Sequence, residues 1–330
     1  MKDPSEIFLP TLPMSANTRF WRRFAISWLM CMMLFRITAS GQELPVYQLY
    51  LWQPALINPA VTGCAECAGI RLIDRHQWPG AFRDAPRTQV LMAEKAFPVD
   101  KDRFHGLGLQ LFNDVNGVYR QMSAGVAYTF HITLDRIRNL RLGFGLMPSV
   151  YQSTYDERDF TRMNDPVITW AVEKEIRPDV STGVYLYSDR FYAGLSAVQL
   201  LGFTSTLNAS RTERGYFLHG GIHWPLTGSW SAQPGMAVKY LSGQLQTDLN
   251  IQVTHRDNYR AMLSYRHQWQ ESVGRPSRLL IYLGMDYNHL SFGYGYDLGL
   301  SSMLRYGYGS HEFMVGYRLC RQRLPCRVYQ

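Results

Sequence analysis

The sequence predicts an all-β fold, a transmembrane antiparallel β-barrel of about 14 strands, and three observations carry that prediction. After residue 41 the chain alternates apolar and polar residues with period two, it holds no helical stripe of any length, and its composition favours strands. Of 330 residues 14 % are aromatic, with 21 Tyr and 27 Gly, while only 18 % are charged, which is not the Ala/Leu/Glu/Lys bias of helical proteins. The mean hydropathy of −0.21 would suit a soluble protein if helices were the only way across a membrane. A barrel strand faces lipid at every second residue, so barrels also average near neutral, and pattern has to decide.

The first element is a leader. Arg19-Phe20-Trp21-Arg22-Arg23 precedes the apolar run Phe24 to Phe35, and Arg36-Ile37-Thr38-Ala39-Ser40-Gly41-Gln42 follows it. That order of basic, apolar and small residues is a secretory signal peptide, and the run falls short of the roughly 20 residues that a spanning helix needs. Cleavage is expected after Gly41, with Ser40 next best, so residues 1–41 are the leader; its length makes Met14 an alternative start. Cys31 follows Leu29-Met30, where a lipoprotein signal would want small residues, and reads as an ordinary apolar residue.

The strands follow. In Gln121–Ile132, Met122, Ala124, Val126, Tyr128, Phe130 and Ile132 share one face, and Gln121, Ser123, Gly125, Ala127, Thr129 and His131 the other. Ser231–Tyr240 repeats the pattern, and so do shorter runs such as Leu107/Leu109/Leu111, Leu249/Ile251/Val253 and Phe313/Val315/Tyr317. Ser188-Asp189-Arg190 reads as a three-residue hairpin loop between Val180–Tyr187 and Phe191–Ala197. The apolar face suits lipid, and the small polar face suits a hydrated lumen. A soluble β-sandwich shows the same alternation and stands as the rival fold. The leader, the Tyr near many strand ends and the length favour the barrel: about 290 residues at roughly 20 per strand and connection give about 14 strands. The barrel is expected over 42–319, with irregular loops at Tyr155–Glu175 and Ser205–Arg214, and a basic extension at 320–330.

The net charge is +8, and Lys and Arg are scattered over strands and turns rather than gathered on one element, so no nucleic-acid partner is expected. Cys64, Cys67, Cys320 and Cys326 would suggest zinc in a reducing compartment; behind a signal peptide they are candidate disulfides. Three pairings are open: the two local ones together, or either set that staples the chain ends. His311-Glu312 begins like a metalloprotease motif, but position 315 is Val and the segment alternates as a strand. His219 and His223 share a strand face without a third ligand nearby. No nucleophile elbow, phosphate loop or paired-carboxylate spacing occurs, so neither an enzyme nor a cofactor is expected.

The ordered motifs resemble one family. Tyr47-Gln48-Leu49-Tyr50 with Ile57-Asn58-Pro59-Ala60-Val61-Thr62-Gly63 leads into Arg75-His76-Gln77-Trp78, then Gly106-Leu107-Gly108, Leu142-Gly143-Phe144-Gly145 and Gly183-Val184-Tyr185. Asp248-Leu249-Asn250, Gly293-Tyr294-Gly295-Tyr296-Asp297 and Gly309-Ser310-His311-Glu312 through Tyr317-Arg318 close the series. Together they resemble the PorP/SprF family of Bacteroidetes outer-membrane proteins. The resemblance implies a barrel in the outer membrane that serves type IX secretion and gliding motility. It also implies a periplasmic peptidoglycan-binding partner, large secreted adhesins as cargo, and no catalytic residues. Asn58, Pro59, Gly63, Gln77, Trp78, Gly293, Tyr294, Tyr296, Asp297, Gly309, Ser310, His311, Glu312 and Tyr317 are its signature, read mainly as fold determinants. The cysteines and the tail Cys320–Gln330 depart from the family, and the tail could meet an acidic partner surface. The rival function is a transport barrel for small or hydrophobic solutes, which would need a plug or a ligand pocket. No plug domain fits before Tyr47.

Overall fold

The computed structural model describes residues 49–80, 84–156, 172–204, 211–212, 214–241, 243–269, 277–299 and 309–319. The leader and the tail after Leu319 lie outside them. Fourteen long strands form the wall: β1 (Gly69–Gln77), β2 (Arg87–Pro98), β3 (Arg103–Asn116), β4 (Tyr119–Asp135), β5 (Leu140–Asp156), β6 (Val172–Tyr187) and β7 (Phe191–Val198), then β8 (Gly215–Ile222), β9 (Trp230–Leu241), β10 (Gln244–His255), β11 (Tyr259–Gln268), β12 (Arg278–Tyr287), β13 (Leu290–Gly299) and β14 (Ser310–Arg318). Each pairs antiparallel with the next, and β1 pairs with β14 along its whole length, from Gly69↔Arg318 to Gln77↔Ser310, so the sheet closes. Closure satisfies every edge inside a bilayer, where no water is available to do so. Short ladders at Phe203–Thr204 with Arg211–Thr212, and at Trp224–Pro225 with β9, lie outside this count. The irregular loop expected at Tyr155–Glu175 is narrower than its sequence suggests. Tyr155 pairs with Glu173 and Asp156 with Val172, so the two strands extend into it from both sides.

The connections differ at the two ends. Where β1 begins and β14 ends, all the links are short, at 99–102, 136–139, 188–190, 223–229, 256–258 and 288–289; the other end carries two two-residue links, 117–118 and 242–243, and all the longer ones, 78–86, 157–171, 199–214, 269–277 and 300–309. In an outer-membrane barrel the short turns face the periplasm, which orients the molecule. Ion pairs order the periplasmic rim: Arg103 bonds Asp100 at 2.6 Å and Arg136 bonds Asp102, and each arginine holds its carboxyl below the usual range.

The outward face is apolar as the alternation predicts, with Val126, Leu195, Leu249 and Leu283 all more than half exposed. Phe97, Phe191, Trp230, Tyr259, Tyr287 and Tyr317 ring its periplasmic border, where an amphipathic ring can sit between lipid and water. The inward face departs from the expectation of a hydrated channel. It carries Tyr185, Tyr187, Tyr282, Leu280, His131 and Arg266, each essentially inaccessible, and the apolar core lies inside the barrel. Residues 49–68 fill the lumen against them, so a plug is present, placed after Tyr47 rather than before it.

Arginine at Val126, near the middle of the lipid face of β4, should cost about 2–4 kcal/mol, whereas arginine at Ile137, exposed in a periplasmic turn, should change stability by less than about 0.5 kcal/mol. Denaturant titration of the barrel refolded into vesicles measures both.

Candidate functional site

The segment inside the barrel is built from three short 3-10 turns, Leu49–Leu51, Pro54–Leu56 and Pro59–Val61. Pro54 and Pro59 each open a turn, where a missing N–H costs nothing. Asn58 caps the third turn by accepting from the Ala60 amide at 3.0 Å, and its amide nitrogen reaches the Val184 carbonyl and His219 Nε2, both at 3.2 Å. These turns leave backbone carbonyls that no regular ladder uses, and the wall satisfies them. Ser196 donates to the Ile57 carbonyl at 2.7 Å, Thr129 to that of Pro59 at 2.7 Å, and His131 Nε2 lies 2.9 Å from that of Thr62. The Gly63 amide donates to Glu94 at 2.9 Å.

Contacts this close require the wall to lack side chains at the crossing points. A Cβ on Gly145 would fall on the Ala60 nitrogen, one on Gly183 on Asn58 Oδ1, and one on Gly106 on the Thr62 carbonyl. On the opposite wall Gly284 and Gly293 flank the Trp52 indole, which a Cβ would meet at 2.5 and 2.7 Å. The strand glycines thus mark the track of the segment, the close backbone approach for which glycine is kept in strands.

Ionic groups fix its first turn. The Tyr50 hydroxyl donates to Asp248, which also receives Arg266 through two bonds of 2.8 Å, and the Arg266 guanidinium lies over the Tyr50 ring. Trp52 Nε1 donates to Gln252 at 2.9 Å beneath Arg260, which pairs with Asp286 at 2.8 Å. Arg278 and Arg75 converge on Asp297, at 2.7 and 3.8 Å. Charges buried this far persist because each has an opposite partner and further hydrogen bonds.

The model for the type IX secretion system membrane protein PorP/SprF matches residues 39–317. The chain belongs to this family. It is therefore an outer-membrane protein, a structural membrane component of type IX secretion whose contacts include membrane lipid and other parts of that system. No curated protein matches the chain. Among solved structures it is similar to BamA from Haemophilus ducreyi lacking POTRA domains 1–3, at 11 % identity and TM-score 0.42 over 77 % of this chain and 70 % of that one. It is also similar to a TodX monoaromatic hydrocarbon channel deltaS2 mutant, at 9 % identity and TM-score 0.47 over 82 % and 92 %. A third is the beta domain of the Bordetella autotransporter BrkA, at 12 % identity and TM-score 0.40 over 77 % and 98 %.

The structure separates the PorP/SprF signature residues into four groups. Asn58, Pro59 and Gly63 belong to the threaded segment, and Gly293 receives its Trp52. Asp297, Ser310 and Glu312 are buried lumen groups of β13 and β14. Gln77, Trp78 and Gly309 join the ends of the closing strands: Arg75 donates to Gln77 at 3.0 Å and the Trp78 amide to the Gly309 carbonyl at 2.9 Å. Gly309 has φ +73°, and a Cβ there would meet the Tyr296 ring at 2.8 Å. Outside the wall, Tyr294 bonds His311 at 2.9 Å and Tyr317 stands beside His289. Cys64 and Cys67 are disulfide-bonded, and Cys320 and Cys326 lie outside the described residues. His219 and His223 do not meet: the first holds Asn58, and the second lies 3.0 Å from the Gln233 amide nitrogen. Among the described residues no cluster of three His, Cys, Asp or Glu side chains could hold a metal.

The sequence reading missed Trp52, Arg266 and Asp248 as a set, although acidic and basic residues at inward positions of adjacent strands were a usable signal. Alanine at Asp248 leaves Arg266 buried without its carboxylate and should cost about 3–5 kcal/mol, read as a lower temperature of heat-modifiable migration. Valine at Gly145 should displace the threaded segment, so that a protease cuts within residues 49–63 of an otherwise intact barrel.

Proposed function

We propose that this PorP/SprF barrel assists the export or surface anchoring of secreted proteins through protein–protein contacts, and does not pass solutes through its lumen. The observation that carries this reading is the packed segment 49–68, whose backbone is bonded to the wall through Ile57, Pro59, Thr62 and Gly63. A plug alone would also suit a transport barrel; what speaks against one here is that the segment is hydrogen-bonded to the wall from Ile57 to Gly63 and that, among the described residues, the gap beside Leu51 and Trp52 holds little more than a water. With the lumen occupied, the surfaces left for work are the two mouths and the outer wall. The partners in this reading are a peptidoglycan-binding protein on the periplasmic side and a secreted adhesin as cargo, with gliding motility as the process served. No catalytic role is proposed. In this reading, disulfides between Cys64 or Cys67 and Cys320 or Cys326 would tie the threaded segment to the tail, whereas the two local pairs would only stiffen each end.

Crosslinking in intact cells followed by purification from outer membranes tests this reading. Recovery of type IX components and a large adhesin is expected, together with loss of surface cargo when the gene is deleted. Recovery of neither, with loss of uptake of a small solute, would overturn it. In planar bilayers the intact barrel should show no persistent conductance, and deletion of residues 49–63 should open a stable pore.

A further inference from the structure

The outer wall carries a feature that neither the threaded segment nor the seam explains. Toward the long-loop end, the unbroken outward apolar runs of β14, β1, β2, β3 and β4 end at Phe313, Leu72, Leu91, Leu111 and Met122, with Val115 of β3 standing alone beyond the break. The next outward positions are His311, Asp74 with His76, Gln89 with Arg87, Asn113, and Arg120. Strand register makes these residues neighbours: His311 lies opposite His76, His76 opposite Arg87, and Gln89 opposite Asn113, while Val115 separates Arg87 from Arg120.

They also bond to one another. Arg87 grips Asp74 through two bonds of 2.9 and 3.0 Å, and His76 Nε2 lies 2.9 Å from the same carboxylate. Asn113 donates to Gln89 at 3.2 Å and receives Arg120 Nε at 2.9 Å. The side chains of Arg87 and His76 remain 49 % and 39 % exposed, so this is an ordered strip that still faces outward. A polar, basic strip on the lipid side of a barrel is costly in hydrocarbon and is stable only where acyl chains give way to headgroups. Its place at the long-loop end assigns it to the outer leaflet.

Its chemistry selects an anion. Asp74 is the one acid among the outward residues of these five strands at that end, and it is spent holding Arg87 and His76. Arg120 makes its bond through Nε, which is not the Nη1–Nη2 edge that matches two oxygens of a phosphate. We propose that this strip binds the phosphate groups of a phosphorylated glycolipid of the outer leaflet, with Arg87 and Arg120 on either side of β3 as the phosphate ligands and Asp74 and Asn113 as the residues that position them. The proposal does not depend on the secretion role above, since it concerns only the outer wall.

The test uses the full chain, folded in detergent and mixed with bisphosphorylated lipid A or its dephosphorylated form, with bound lipid counted by native mass spectrometry. The phosphorylated form should be retained at least tenfold better. Arg87→Gln with Arg120→Gln should abolish that preference, while Lys95→Gln, an outward basic residue at the other end of β2, should leave it unchanged. Heat-modifiable migration checks each barrel, and Arg120→Gln alone, which forfeits only the Asn113 bond, serves if the double variant does not fold. Equal retention of the two lipids, an unchanged preference in the arginine variants, or an equal loss in Lys95→Gln would overturn the proposal. So would a protein crosslinked at position 120 in cells while lipid retention shows no phosphate dependence.

Discussion

The backbone of residues 57–63 runs against the barrel wall without intervening side chains, and the rest of the interior is arranged around that contact. Gly106, Gly145 and Gly183 on β3, β5 and β6 allow it, and Thr129, His131 and Ser196 reach in from the interleaved and adjoining strands β4 and β7 to carbonyls of its turns. A buried carbonyl without a partner is expensive, so the segment needs these hydroxyl and imidazole groups as much as it needs the space. The small and polar residues of the inward face therefore serve a packed interior, not a water column.

The buried charges belong to the same construction. Asp248 meets both Tyr50 and Arg266, so the first turn of the segment is tied to β10 and β11, which lie across the lumen from the glycine track. Asp286 and Asp297 each gather two arginines from the adjoining wall and extend the network to β1 and β14. A network of this kind contributes little net stability against an apolar alternative, but breaking one member is costly. Its physical effect is to fix one position for the segment. The outer wall obeys the opposite rule, with charge confined to the borders of the lipid face, and the outward strip around Arg87 and Arg120 lies on such a border.

Much of the wall was legible in the residues. Alternation depends only on strand geometry and on which face meets lipid, so Met122 to Ile132 and Ala232 to Tyr240 show their orientation in the sequence itself, and length divided by strand spacing sets the number of strands. The order of short motifs from Tyr47 to Arg318 likewise determined the family. What fills the barrel was decided only by tertiary structure. Residues 49–63 have no period, since 3-10 turns opened by Pro54 and Pro59 repeat neither every second nor every fourth residue. A glycine in a strand looks the same whether it faces water or, like Gly145, a backbone drawn from about 85 residues earlier in the chain. Inward Tyr185, Tyr282 and Arg266 could have lined a channel as readily as a core; the segment threaded between them packs that space and buries them, leaving small gaps beside Leu51 and Trp52.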